Sequence, residues 1–273
     1  MNRYIPDINV KTIMDSGQCF RLIRENAKAP DKPRYKLIAG DRLLYIEELG
    51  EGYYDFDCTE EDFENIWIPY FDLEEDYDRF SNSIDEGDIF LAAAANFGRG
   101  MKILRQDPWE TLISFILSQQ KNIPAIRRGV ETLCERYGRR IGPSEFAFPD
   151  PWSLIEAGVE GLKSCGIGFR AKYVYDAAVK VEEGKLNLAA LEELENSELK
   201  DELKGIYGVG DKIAACVMLF SYHRLDMFPI DVWMNRVLKK HYPDGFPFDR
   251  YSSYSGVLQQ YLFYYALNGG LEG

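Results

Sequence analysis

Residues 34–46 alternate apolar and polar side chains on either side of Gly40-Asp41. That is the period-two pattern of two strands joined by a tight turn. A partner strand is expected at 52–56, and residues 13–21 read as a glycine turn leading into another strand. Helix-spaced apolar residues follow around 60–70 and 77–84. Residues 1–97 are therefore expected to form an antiparallel sheet backed by helices.

From residue 98 onward the period lengthens to that of helices. Asp107-Pro108 has the composition of a helix start, and the strongly apolar run 109–120 predicts a buried helix. The acidic, leucine-spaced stretch 182–204 reads as a solvated helical face. It leads into Leu203-Lys204-Gly205-Ile206-Tyr207-Gly208-Val209-Gly210-Asp211-Lys212, which has three glycines in six residues between two helical patterns. Such a piece spells a tight helix-to-helix turn at 203–212 whose amides, backed by the positive end of the second helix, suit a phosphate. Lys212 falls in the first turn of that second helix, with Cys216 one turn further along the same face. In the loop 226–236, Pro229 sets an extended approach and Asp231 is placed to cap a third helix. A Pro/Gly loop follows at 242–247, and a terminal helix is expected at 256–268, carrying an aromatic stripe of the kind cores use. Taken singly, a first-turn lysine is most often solvated and a helix-start aspartate most often only a cap.

Composition narrows the setting. The 273 residues, 46% hydrophobic and 14% aromatic, suffice for one large or two ordinary globular domains. No apolar run reaches membrane-spanning length and residues 1–10 lack a signal-peptide pattern. A cytoplasmic location is expected, with the nucleoid as its place in a prokaryote. The five cysteines are widely spaced with no Cys-x-x-Cys pair, which argues against disulfides or zinc. A net charge of −13 weighs against strong non-specific DNA binding, although 127–128, 136–140, 170–172 and 236–240 are locally basic.

The glycine-rich hairpin, Lys212 and the later Pro229-Ile230-Asp231, taken together, resemble the helix-hairpin-helix DNA glycosylases with a Gly/Pro-rich loop and an aspartate (HhH-GPD). Lys212 followed by Cys216 is most similar to the bifunctional 8-oxoguanine DNA glycosylase/AP lyases, and the likeness runs from about Ile13 to Leu267. It implies an α+β protein: a TBP-like antiparallel sheet domain at 1–97 and a mostly helical HhH-GPD domain at 98–273. It also implies a double-stranded DNA partner carrying an oxidised purine or an abasic site, a monomeric state and no membrane. Residue by residue, the resemblance makes Lys212 the nucleophile and Asp231 its catalytic companion. Gly17, in Ser16-Gly17-Gln18-Cys19-Phe20-Arg21, would offer its carbonyl to the N7–H that 8-oxoguanine has and guanine lacks. Cys216 and Phe263 would sandwich the flipped base, and Gln259 would read its Watson–Crick edge. Gln120, Asn122, Phe169, Arg170, Gly208, Gly210 and Val232 would contact DNA. The carbonyls of Lys204, Ile206 and Val209 would hold a potassium or sodium ion. No cofactor is required by this chemistry, and the clustered cysteines of an iron–sulfur cluster are absent from the sequence.

Three departures from the family pattern stand out. Gln120 replaces the usual asparagine, Ala125 replaces one of two arginines that read the opposite cytosine, and Trp233 stands where eukaryotic members carry a histidine. The chemistry implied begins by rotating the damaged nucleotide out of the stack. A neutral lysine then attacks C1′, and a Schiff base allows β-elimination of the 3′ phosphate. Alternative readings are a monofunctional alkylpurine glycosylase of the same superfamily, for which Lys212 is superfluous, a non-catalytic DNA-damage-binding protein, and an acidic helical scaffold with no nucleic-acid role.

Overall fold

The computed structural model describes residues 1–25 and 32–271. Among these, β1 (Asn2–Tyr4), β2 (Leu22–Arg24), β3 (Arg34–Ala39), β4 (Arg42–Gly50) and β5 (Tyr53–Phe56) form an antiparallel sheet in the order β1-β5-β4-β3-β2. The expected hairpin pairs Leu37 with Leu44 and Ala39 with Arg42 around Gly40-Asp41, and Gly40 sits at φ 60°. A glycine relieves strain in that left-handed turn position. Tyr35, Leu37, Leu44, Ile46, Tyr54 and Phe56 are buried and pack with Phe63, Trp67, Tyr70 and Phe71 into one core.

Several local expectations are corrected. Strand β1, three residues long, is too short to show alternation in the sequence. Ile13, Met14 and Asp15 close a helix, Val10–Asp15, capped by Asn9, so the turn begins only at Ser16. The helix expected at 60–70 is Glu60–Asp62, a wider π turn at Phe63–Trp67, then Ile68–Tyr70. Pro69 cannot donate the backbone bond that a continuous α register would use there.

A second core is built from helices Ile89–Phe97, Pro108–Leu117, Ile123–Tyr137, Pro151–Leu162, Ala171–Glu182, Asn196–Lys204, Asp211–Phe220, Val232–His241 and Ser255–Tyr265. From the first 97 residues, Phe20, Tyr77, Phe80, Leu91, Ala94 and Ala95 pack into this core and not into that of the sheet. Helix Pro108–Leu117 is its central rod, buried from Thr111 to Leu117, and the Asp107 carboxylate accepts the Glu110 amide at 2.8 Å to start it. It ends before the expected residue 120, because Gln120 takes φ 52° and leaves 118–122 as a loop. The stretch 182–204 is not one solvated helix. Gly184 turns the chain at φ 69°, a 3-10 turn spans Ala190–Glu193, and Leu186, Leu191, Leu199 and Leu203 are buried while the acids face out.

Polar side chains join the two cores. The buried Lys102 ammonium lies 2.6 Å from Asp7 and 2.9 Å from the Glu75 carbonyl. Asp72 accepts from the Tyr77 hydroxyl at 2.9 Å, meets Arg105 at 3.0 Å and meets His223 Nε2 at 3.0 Å. Burial disfavours the Asp72 carboxylate, but His223, Tyr77 and Arg105 together outweigh it and hold its pKa at about 2. All five cysteines are free thiols, and burial pushes each of them up. Among the described residues no helix is long and apolar enough to cross a membrane.

Candidate active site

Five stretches distant in sequence close around one cleft of about 910 Å³. Its wall includes Gly17, Phe115, Ser118, Lys212, Cys216, Asp231, Gln259 and Phe263, so every residue expected to do chemistry or hold the base shares one space. Gln120, Asn122, Val232 and Trp233 line it as well. The others expected to touch DNA, Phe169, Arg170, Gly208 and Gly210, lie outside its wall.

Lys212 enters from the first turn of Asp211–Phe220. Its Nζ donates to Ser118 Oγ at 3.2 Å and sits 5.0 Å from the centroid of the Phe115 ring. Ser118 in turn donates to the Phe115 carbonyl at 2.7 Å, so its oxygen is left as an acceptor for the amine. Cys216 is 3% exposed, and burial pushes its thiol up although the Lys212 amine pulls the other way. It therefore presents a neutral, polarisable surface and no counter-charge for Lys212.

Asp231 fills two positions at once. As the cap of Val232–His241, its Oδ1 accepts the Met234 amide at 2.8 Å, and it also lines the cleft. Downstream, the Arg236 guanidinium stands 5.1 Å from the Trp233 ring centroid. Gly17 takes φ 76°, and a Cβ there would stand 3.1 Å from Ile123 Cδ1 and 3.6 Å from Phe263 Cε1. Backbone and phenyl ring are thus close neighbours on one wall. The Gly17 turn is held by Gln18, which donates to the Lys102 carbonyl at 3.0 Å and accepts the Leu104 amide at 2.8 Å. Gln106 adds a bond to the Gln18 carbonyl at 2.8 Å.

Beside the cleft, the hairpin joins Asn196–Lys204 to Asp211–Phe220. Gly210 is the N-cap and supplies no side-chain cap, which leaves first-turn amides open to an outside oxygen. Gly208 turns the chain at φ 86° directly on the Tyr173 ring, where a Cβ would come within 2.4 Å of Cδ2. Asp211 places a carboxylate at this entrance, and Lys204 at 2.9 Å and Lys200 at 3.3 Å neutralise it and lower its pKa. The Ile206 carbonyl accepts the Val209 amide at 3.0 Å and keeps its second lone pair.

Exposed apolar side chains rim this face: Phe169, Tyr207, Ile230 and Val232 are each more than two-fifths exposed. Phe169 packs edge-on against Tyr173, which packs edge-on against Tyr207, so the expected wedge and the hairpin are mechanically linked. Arg170 is turned inward. Its guanidinium donates to the carbonyls of Ile167 and Gln119 and tethers the 118–122 loop.

Comparison with known proteins fits this geometry. The family model for the 8-oxoguanine DNA glycosylase N-terminal domain matches residues 2–112, and that for the HhH-GPD superfamily of base excision DNA repair proteins matches 113–245. A solved structure of MBOgg1 with a low-affinity DNA ligand is 40% identical, with a TM-score of 0.90 over 98% of this chain and 95% of that one. The Clostridium acetobutylicum 8-oxoguanine glycosylase/lyase, solved with DNA bearing cytosine opposite 8-oxoguanine, is 35% identical. Its TM-score is 0.88, over 97% of this chain and 93% of that one. This chain belongs to the 8-oxoguanine DNA glycosylase family. The Saccharomyces cerevisiae N-glycosylase/DNA lyase is 31% identical over 195 residues, which span 66% of this chain but 47% of the yeast protein.

Lys212, Asp231, Gly17, Cys216, Gln259 and Phe263, which the structure brings to one cleft, could be singled out in the sequence because each sits in a short local motif. Ser118 and Phe115 beneath Lys212, and Gln18 and Gln106 behind Gly17, were not. Their partners lie up to 94 residues away in the chain, as with Ser118 and Lys212. Two amides in the motif Ser16-Gly17-Gln18 and Arg105-Gln106 were the available signal, since an uncharged polar residue between apolar segments is often buried and paired.

Proposed function

We propose that this protein is a base-excision-repair enzyme that removes 8-oxoguanine from duplex DNA and then cleaves the abasic strand. The observation that carries the reading is the single cleft shared by Lys212, Asp231, Cys216, Gly17 and Phe263. A flipped purine fits between the Phe263 ring and the Cys216 thiol, with the Gly17 carbonyl beside its N7–H. Guanine, with a lone pair at N7, would meet repulsion at that carbonyl; the discrimination is worth ~1–3 kcal/mol.

Lys212 Nζ attacks C1′ as the glycosidic bond breaks and the base takes the bonding electrons. Asp231 stabilises the positive charge that develops on the sugar. Loss of a proton from the attacking nitrogen and opening of the sugar ring give the Schiff base. Removal of a C2′ proton then expels the 3′ phosphate by β-elimination, and water releases Lys212. Phe169 and Gln120 fill the space the base vacates, and the open amides after Gly208 and Gly210 take a phosphate.

Supporting features extend the proposal. Ala125 offers no guanidinium to the opposite base and Arg170 is occupied by main-chain carbonyls, so cytosine is weakly selected. The neutral carbonyls of Lys204, Ile206 and Val209 suit potassium or sodium; a hard divalent ion prefers carboxylates. The protein acts as a monomer where the DNA is, in the cytoplasm and at the nucleoid of a prokaryotic cell.

Borohydride trapping on a duplex with one 8-oxoguanine tests the reading. The wild type should form a covalent adduct, Lys212→Gln should form none, and the yield should be similar opposite all four bases. Binding without an adduct in the wild type would overturn the lysine mechanism in favour of a monofunctional glycosylase or a damage-binding protein.

A further inference from the structure

Gln260 lies next to Gln259 in the terminal helix, is 4% exposed and reaches the cleft wall. Its place in the chemistry follows from a chain of hydrogen bonds whose direction is forced. The Pro229 carbonyl can only accept, so the Gln259 atom 3.0 Å from it is the amide nitrogen. Gln259 Oε1 therefore points the other way, where it meets Gln260 Nε2 at 2.9 Å. Gln260 Oε1 is itself buried without a hydrogen-bond partner. An unsatisfied buried acceptor is costly, and the bond to Gln259 is what the side chain provides in return.

We infer that Gln260 is a positioning residue that locks the Gln259 amide in one orientation, so that the cleft takes an 8-oxo-6-keto purine and refuses an 8-oxo-6-amino purine. The inference rests on the proposed function above. Gln259 keeps one N–H and one lone pair, presented in a fixed order. A guanine-type edge offers N1–H beside the O6 acceptor, whereas an adenine-type edge reverses the two. The Gly17 carbonyl cannot separate these bases, because 8-oxoguanine and 8-oxoadenine both carry N7–H. Discrimination therefore falls to Gln259, and its sharpness depends on whether the amide is free to flip. Pro229 holds one end of that amide and Gln260 the other.

Single-turnover excision from duplexes containing 8-oxoguanine or 8-oxoadenine, by the wild type, Gln260→Met and Gln260→Glu, provides the test. Both substitutions keep the length of the side chain. The wild type should favour 8-oxoguanine. Gln260→Met, which removes the donor, should lower the ratio of the two rates about tenfold, the scale of one hydrogen bond. Gln260→Glu sets an acceptor against Gln259 Oε1 and should lower it further. Trapping on abasic-site DNA, which has no base to read, should remain at the wild-type level in both variants. An unchanged ratio in folded, trapping-competent variants would overturn the inference, as would equal loss of rate on both bases, which marks a structural role only. Failure of the wild type to excise either base would bring down the functional reading and this inference with it.

Discussion

Asp231 caps a helix and is proposed to act in catalysis, and a single substitution can separate the two. Its Oδ1 caps Val232–His241 through the Met234 amide, and asparagine caps a helix as well as aspartate does. Asp231→Asn should therefore melt within ~0.5 kcal/mol of the wild type while excising base at least about 100-fold more slowly. Asp231→Ala should lose a further ~1 kcal/mol of stability. Thermal denaturation alongside single-turnover excision measures both, and full activity in Asp231→Asn would reduce the residue to a cap. Legibility at this scale divides along the same line. Lys212 and Asp231 stood out because helix starts and glycine turns are written locally. Ser118, Phe115 and Gln18 take their roles from partners that only the fold brings near; Gln260 bonds its own chain neighbour, but the direction of that bond is set by the distant Pro229 carbonyl.

The hairpin shows how an element is fixed from outside itself. Gly208 is needed for its φ of 86° and for its contact with Tyr173, which belongs to a different helix. Gly208→Ala should cost ~1–3 kcal/mol in chemical denaturation. It should also weaken binding to a duplex with an abasic-site analogue, because the open amides after Gly210 would shift. Wild-type affinity in this variant would show that the hairpin turn does not set the phosphate contact. The hairpin's glycines and the β3–β4 turn were readable, since each needs a residue type at one position. Strand β1 was not, because three residues carry no period, and 182–204 misled because its dense acids hid four buried leucines.

At the scale of the molecule, the Asp72 cluster fastens the sheet core to the helical one. With its pKa at about 2, below the ordinary 3.8, Asp72 stabilises the fold above pH 4 and gives that stability up as pH falls from about 4 to about 2. Asp72→Asn should cost on the order of 3 kcal/mol at pH 7 and progressively less in that acid window. Asparagine tolerates the φ of 52° at this position, so backbone strain does not confound the comparison. Urea titrations across pH 2–7 would show it, and a pH-independent difference would exclude the charge as the cause. The overall division into a sheet unit and a helical unit was legible from periodicity; that Phe20, Tyr77 and Phe80 belong to the helical core was not, because which core a buried side chain joins is decided by topology. The five thiols carry one more consequence. Peroxides attack thiolate and spare thiol, and burial holds every cysteine of this chain toward the thiol form. Peroxide thus finds little thiolate in the protein, including at Cys216, on which the base is proposed to rest.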